Sequence, residues 1–240
     1  MNSFRLPAWL SVCLLSLIFC LAVGLSSGFL RWLFANYAAV SLRHQATLRI
    51  TGAVIGQVAA VLLLISYLRW QERSVADLGF GRPAPAWGWI SAIVLTAALS
   101  SLILVGPLRG RAPLSELSFF HIYNSLAAGL GAGFCEELLF RGFVMSALAW
   151  AGSGRLTQVL MSALLFGLAH VGWTAIGTGF NARVFLSSVI PTAVFGALYA
   201  GIYLISGRSL MPVIMAHAIT DVLIEPWLLL AALSGTLRQQ

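Results

Sequence analysis

Long reaches of this chain carry no charge at all. No acidic residue, arginine, lysine or histidine interrupts residues 7–30, 50–68 or 87–108, and each run is dominated by leucine, isoleucine, valine, alanine and aromatic residues. About 20 apolar residues in a helix cross the hydrocarbon core of a bilayer, roughly 30 Å thick. Within that core the backbone must satisfy its own hydrogen bonds, so uncharged runs of this length fold as packed membrane helices. The whole composition agrees: 60% of the residues are hydrophobic and 9% are charged, against about 25% charged in a soluble domain. A soluble globular protein and a disordered one are both excluded. Three cysteines leave one over from any pairing, which excludes a disulfide scaffold. The 240 residues hold about seven or eight spans and little else. The expected fold is all-α, a polytopic transmembrane helix bundle without a separate soluble module.

The spans divide unevenly. Residues 1–118 supply the N-terminal transmembrane helices: Pro7 to Leu30, read as a retained signal-anchor, then Ile50 to Leu68, then Trp87 to Leu108. The turn-rich stretch 69–85 between the second and third is the best candidate for a connection with structure of its own. Residues 119–233 form a helical core. It opens with Phe119 to Trp150, which carries the glycines Gly129, Gly131 and Gly133 that permit close helix approach. Leu156 to Val171 follows, short for a span at roughly 24 Å. Then come Val184 to Ile205 and Leu210 to Leu233, the last broken by Pro226 and so either one kinked helix or two short ones. Residues 234–240 read as a polar C-terminal tail.

The net charge is +7, and every basic residue is arginine. The arginines scatter among the connections instead of gathering on one face, so nucleic acid is not the expected partner; the bilayer is. Arg5, Arg69, Arg73, Arg82, Arg155 and Arg208 fall on one side, and Arg31, Arg43, Arg49, Arg109, Arg111 and Arg183 on the other. This even division gives the positive-inside rule nothing to act on.

The seven acids say more. Glu72, Asp77 and Glu116 lie in polar connections, whereas Glu136, Glu137, Asp221 and Glu225 lie in or at the ends of apolar segments. A charge at the bilayer centre costs at least about 2.5 kcal/mol, so such acids mark functional sites. Three patterns on three helices contain nearly all the ionisable groups of the spans. In Glu136-Glu137-Leu138-Leu139-Phe140-Arg141, Glu137 and Arg141 stand four apart and can pair on one helix face. Glu136, rotated by about 100°, is left facing elsewhere. In Phe166-Gly167-Leu168-Ala169-His170, a histidine ends the short span. In His217-Ala218-Ile219-Thr220-Asp221, imidazole and carboxylate again share a face. Taken singly, each pattern also fits a structural pair or a satisfied packing residue. Taken together in one bundle, such costly groups are best satisfied by converging. Two histidines and two carboxylates are also the parts for activating water and stabilising an oxyanion, directly or through a metal.

The order EExxxR, FxxxH, HxxxN/D on successive helices resembles the CPBP intramembrane proteases, which include the type 2 CAAX prenyl proteases and bacteriocin-processing or abortive-infection proteins. The resemblance covers residues 119 to 225. It implies that Glu136 is the general base, with His170 beside it. His217 and Asp221 would stabilise the oxyanion or hold a metal, Glu137 and Arg141 would give structural support, and Phe166 would pack near the site. Where the family often has asparagine this chain has Asp221, which when ionised only accepts hydrogen bonds. Glu136, His170, His217 and Asp221 could form a zinc shell with an open position, so zinc and a metal-free mechanism both stay open. Sequences typical of other intramembrane proteases are absent: there is no HExxH and no GxGD. Cys135 reads as a small packing residue.

The function implied is an intramembrane endopeptidase acting on a membrane-associated peptide or protein precursor, lipidated or not. Two other classes use the same residues: a proton- or cation-coupled transporter, and a non-catalytic immunity or partner-binding protein. A chain of this size, without lysine or a targeting tail, fits a bacterial inner membrane.

Overall fold

The apolar runs between turn-forming residues become helices whose inward faces carry the small and polar side chains. The computed structural model describes residues 6–35, 41–105, 117–171 and 182–237. Helix α1 spans Ala8–Ala35, α2 Leu42–Trp70 and α3 Ala86–Val105. Helix α4, Phe119–Glu137, runs without a break through a π-helical segment, Leu138–Val144, into the short α5, Met145–Trp150. Helices α6, Arg155–Ala169, α7, Ala182–Ile205, and α8, Leu210–Leu237, complete the bundle. Among the described residues all regular structure is helical, as the sequence requires.

Helices α1, α2, α3, α7 and α8 are each long and apolar enough to cross a membrane. Large apolar side chains face outward all round the bundle, among them Leu25, Leu62, Ile93, Leu102 and Leu156, where lipid replaces water as their surroundings. The protein is an integral membrane protein. Two expectations change in detail. The last segment is one helix through Pro226, the first of the two alternatives, but it continues to Leu237, so the polar tail expected from residue 234 is helical there. The second span begins earlier than its apolar run, because Ser41 caps it by accepting the His44 amide. The loop calls on Arg5, Arg109, Arg111 and Glu116 lie outside the described residues.

Small residues set the helix spacing. A Cβ on Gly133 would stand 2.6 Å from Ala218 Cβ and 2.8 Å from Ala218 Cα, so α4 and α8 cross backbone to backbone at this level. Gly52 and Gly56 do the same for α2 against α1, where a Cβ on Gly52 would stand 2.6 Å from the Ser26 carbonyl oxygen. Helix α3 packs along α8, and α6 packs along α7.

The connection from residue 71 to 85 has structure of its own. It contains a 3-10 turn, Val75–Leu78, capped by Ser74 and Asp77. Leu78 is fully buried, and its carbonyl accepts the Tyr203 hydroxyl at 2.8 Å. Ser209 Oγ donates to the Arg82 carbonyl at 2.6 Å, and Leu210 N donates to the Gly79 carbonyl at 3.1 Å. These bonds strap the connection over the α7–α8 turn.

Candidate active site

The π segment directly follows Glu136 and Glu137. Its i→i+5 register interrupts the α-helical ladder, and such bulges gather at functional sites because they re-aim side chains and free carbonyls. One carbonyl, that of Phe140, accepts from the buried Ser162 Oγ of α6 at 2.9 Å. The bulge carries Arg141, which is wholly buried.

Glu137 and Arg141 form the expected ion pair, Nη1 to Oε1 at 2.8 Å. Arg141 Nη2 also donates to the Gly196 carbonyl at 3.0 Å. The guanidinium carbon lies 4.3 Å from the centre of the Phe166 ring and 5.5 Å from that of Tyr199. The same Glu137 Oε1 lies 2.7 Å from His217 Nδ1. Glu137 therefore joins the α4 motif to the α8 motif, a link that reading each helix separately does not reveal. A carboxylate only accepts, so His217 Nδ1 is the donor. His217 Nε2 stands 3.3 Å from Asp221 Oδ2, the i,i+4 partner. Tyr199 stacks on the His217 ring with centroids 4.9 Å apart and planes at 21°.

His170 ends α6. Its Nδ1 lies 2.8 Å from the Phe166 carbonyl oxygen, which can only accept, so Nδ1 carries the hydrogen and a neutral ring keeps its lone pair on Nε2. Phe166 wedges between the two imidazoles, its ring centroid 4.8 Å from that of His170 and 5.8 Å from that of His217.

Glu136 faces away from Glu137, as one helical step dictates, and is 5% exposed. Its Oε1 accepts from Gln57 Nε2 of α2 at 3.0 Å. Its Oε2 is buried and makes no hydrogen bond among the described residues.

These groups meet at a cavity of about 380 Å³ inside the bundle. Glu136, Phe166, His170, His217 and Asp221 all line it, together with Gln57, Tyr199 and Thr220. Its apolar walls include Ile50 and Val54 of α2, Ile103 of α3 and Leu228 of α8. Glu137 and Arg141 stand behind it and do not line it. Glu225, marginal at a span edge in the sequence, lines the cavity one helical turn beyond Asp221. Cys135 is buried and lines a separate apolar groove between α2 and α4. Gln57 and Tyr199 escaped the sequence reading. A carboxamide in the middle of an otherwise apolar span was the signal for Gln57, since polar groups at that depth are costly.

The four residues expected to hold zinc, Glu136, His170, His217 and Asp221, all line the cavity. His217 has a carboxylate against each ring nitrogen, and His170 offers only Nε2. Among the described residues no three histidine, cysteine, aspartate or glutamate side chains converge as a metal-binding group.

Residues 118–223 match the family model described as type II CAAX prenyl endopeptidase, Rce1-like. No curated protein and no solved structure matches the chain. The matched segment contains all three motifs, the helices α4, α6 and α7 that meet at or behind the cavity, and the first half of α8. Through this segment the chain is similar to the type II CAAX prenyl endopeptidases of the Rce1-like family.

Proposed function

We propose that this protein hydrolyses a peptide bond of a membrane-associated peptide or protein, using water activated by Glu136. The observation that carries the reading is the convergence of Glu136, His170, His217 and Asp221, from α4, α6 and α8, on one cavity within a membrane bundle. A water between Glu136 Oε2 and His170 Nε2 gives its proton to the glutamate as its oxygen attacks the peptide carbonyl. The oxyanion forms toward His217, which Glu137 holds in orientation through Nδ1 and which presents Nε2 on the Asp221 side. Collapse of the tetrahedral adduct breaks the C–N bond, and the proton held by Glu136 passes to the leaving amine. One water is consumed, and a carboxyl and an amine are released. Asp221 orients His217 and accepts its Nε2–H until the oxyanion competes for it. No step passes through a metal.

The substrate proposed is a membrane-anchored precursor, with a prenylated tail of the CAAX type as the first to assay. The family description names that class, and the apolar walls beside the reacting groups suit a lipid-bearing segment. The membrane proposed is that of a bacterial cell.

The test compares protein and peptide termini in membranes of cells carrying the wild type or Glu136→Gln, which keeps shape and removes the base. A precursor that accumulates only in the variant is the expected result. Identical termini at equal expression would overturn the reading.

A further inference from the structure

We propose that Gln57 is the positioning residue of the general base, holding the Glu136 carboxylate in the rotamer with which it lines the cavity. The inference rests on the role of Glu136 given above. Gln57 lies on α2, outside the segment that matches the family model. It is 3% exposed in an otherwise apolar stretch, so its carboxamide has no water to fall back on. Its one hydrogen bond among the described residues goes to Glu136 Oε1 at 3.0 Å. A carboxylate oxygen only accepts, so the amide atom facing it is the nitrogen.

This bond acts on a carboxylate that nothing else holds. Glu136 has no other hydrogen bond among the described residues, and Oε2 is unpartnered. Fixing Oε1 fixes the plane of the carboxylate and therefore the direction of the Oε2 lone pairs. Without the amide the carboxylate turns about its terminal torsion, which has a broad, roughly two-fold profile. The neighbouring chain is shaped around this bond. A Cβ on Gly131 would stand 3.0 Å from Gln57 Oε1 and 3.1 Å from Val54 Cγ2. Glycine within a helix is disfavoured relative to alanine, and here it leaves the space in which the amide sits.

The experiment uses the full chain in lipid nanodiscs, with a fluorogenic peptide ending in an S-farnesylated CAAX sequence as the probe. Three variants are compared with the wild type: Gln57→Met, which keeps length and removes the donor, Gly131→Ala, which crowds the amide, and Glu136→Gln. The expected result for Gln57→Met is a kcat lower by about 10-fold to 100-fold with KM within about twofold, the signature of a loss felt in the transition state. Gly131→Ala lowers kcat in the same direction while its melting temperature holds or rises, which a merely structural role would not produce. An infrared difference spectrum gives a readout independent of any substrate. The carboxylate band of Glu136, identified by its loss in Glu136→Gln, shifts in Gln57→Met.

Wild-type kcat in both Gln57→Met and Gly131→Ala overturns the proposal. A raised KM at unchanged kcat also overturns it, since Gln57 would then be holding substrate. An unshifted band in a folded Gln57→Met protein does so as well. If Glu136→Gln cleaves at the wild-type rate, the base assignment itself has failed. If the wild type leaves this peptide intact, the substrate class has failed, and the infrared band alone decides the role of Gln57.

Discussion

Glu137 is held on two sides, and the mechanism proposed above leaves the activation of water to its neighbour Glu136. Glu137 is fully buried, it lines no cavity, and its Oε1 serves both Arg141 and His217. Oε2 is unpartnered in both carboxylates among the described residues, but only Glu136 lines the cavity. A single helical step separates a carboxylate held in an ion pair from one that lines the cavity. A buried ion pair adds little net stability, but deleting one partner leaves the other charge stranded. Arg141→Met is therefore expected to destabilise the protein by about 3–5 kcal/mol, read as a fall in the melting temperature of the purified protein. Adding Glu137→Gln to it should recover much of that stability. Activity should stay low in the double variant, because an amide presents no charge to His217 Nδ1. The mechanism proposed for Glu136 gives a second expectation at this scale. Incubation with a strong zinc chelator should leave the cleavage rate within about twofold of the untreated enzyme, and a chelator-dependent loss restored by added zinc would reject the metal-free route.

At the scale of elements, the contact between α4 and α8 makes the site. Gly133 brings the two backbones together at Ala218, one residue beyond His217. Gly133→Val places a branched side chain where even a Cβ has no room, and overpacking of this kind costs about 1–3 kcal/mol. The two helices must separate to accept it, which lengthens the 2.7 Å contact between Glu137 and His217. Gly133→Val is expected to lose more activity than its modest fall in melting temperature accounts for. Wild-type turnover in that variant would show that the helix spacing is not what aligns the site.

The same crossing shows which features the sequence could reveal. The pairs Glu137–Arg141 and His217–Asp221 were legible because four residues of helix bring side chains together regardless of the rest of the fold. The opposite facing of Glu136 and Glu137 was legible for the same reason. The bond from Glu137 to His217 was not, since it spans two helices whose rotation is set by packing at Gly133. The π segment was hidden as well, because Leu138–Val144 reads as ordinary apolar helix. Pro226 suggested a break in the last helix, yet α8 passes through it, with the neighbouring packing outweighing the lost hydrogen bond.

At the scale of the whole molecule, the cavity belongs to both halves of the chain. Glu136, His170, His217 and Asp221 come from the C-terminal helices, but Ile50, Ala53, Val54 and Gln57 of α2 and Ile103 of α3 wall the same space. Residues 118–223 carry the family match, yet expressed alone they would leave the cavity open to lipid along the α2 side. Membrane helices can fold as individually stable units before they associate, so the missing wall can be supplied in trans. The chain divided in the connection between α3 and α4 is expected to behave in two ways. The C-terminal part alone should insert but cleave nothing. Both parts expressed together should copurify and recover processing, with Gln57→Met in the N-terminal part reducing turnover as it does in the intact chain. Activity from the C-terminal part alone would show that α2 and α3 are an anchor and not a wall of the site.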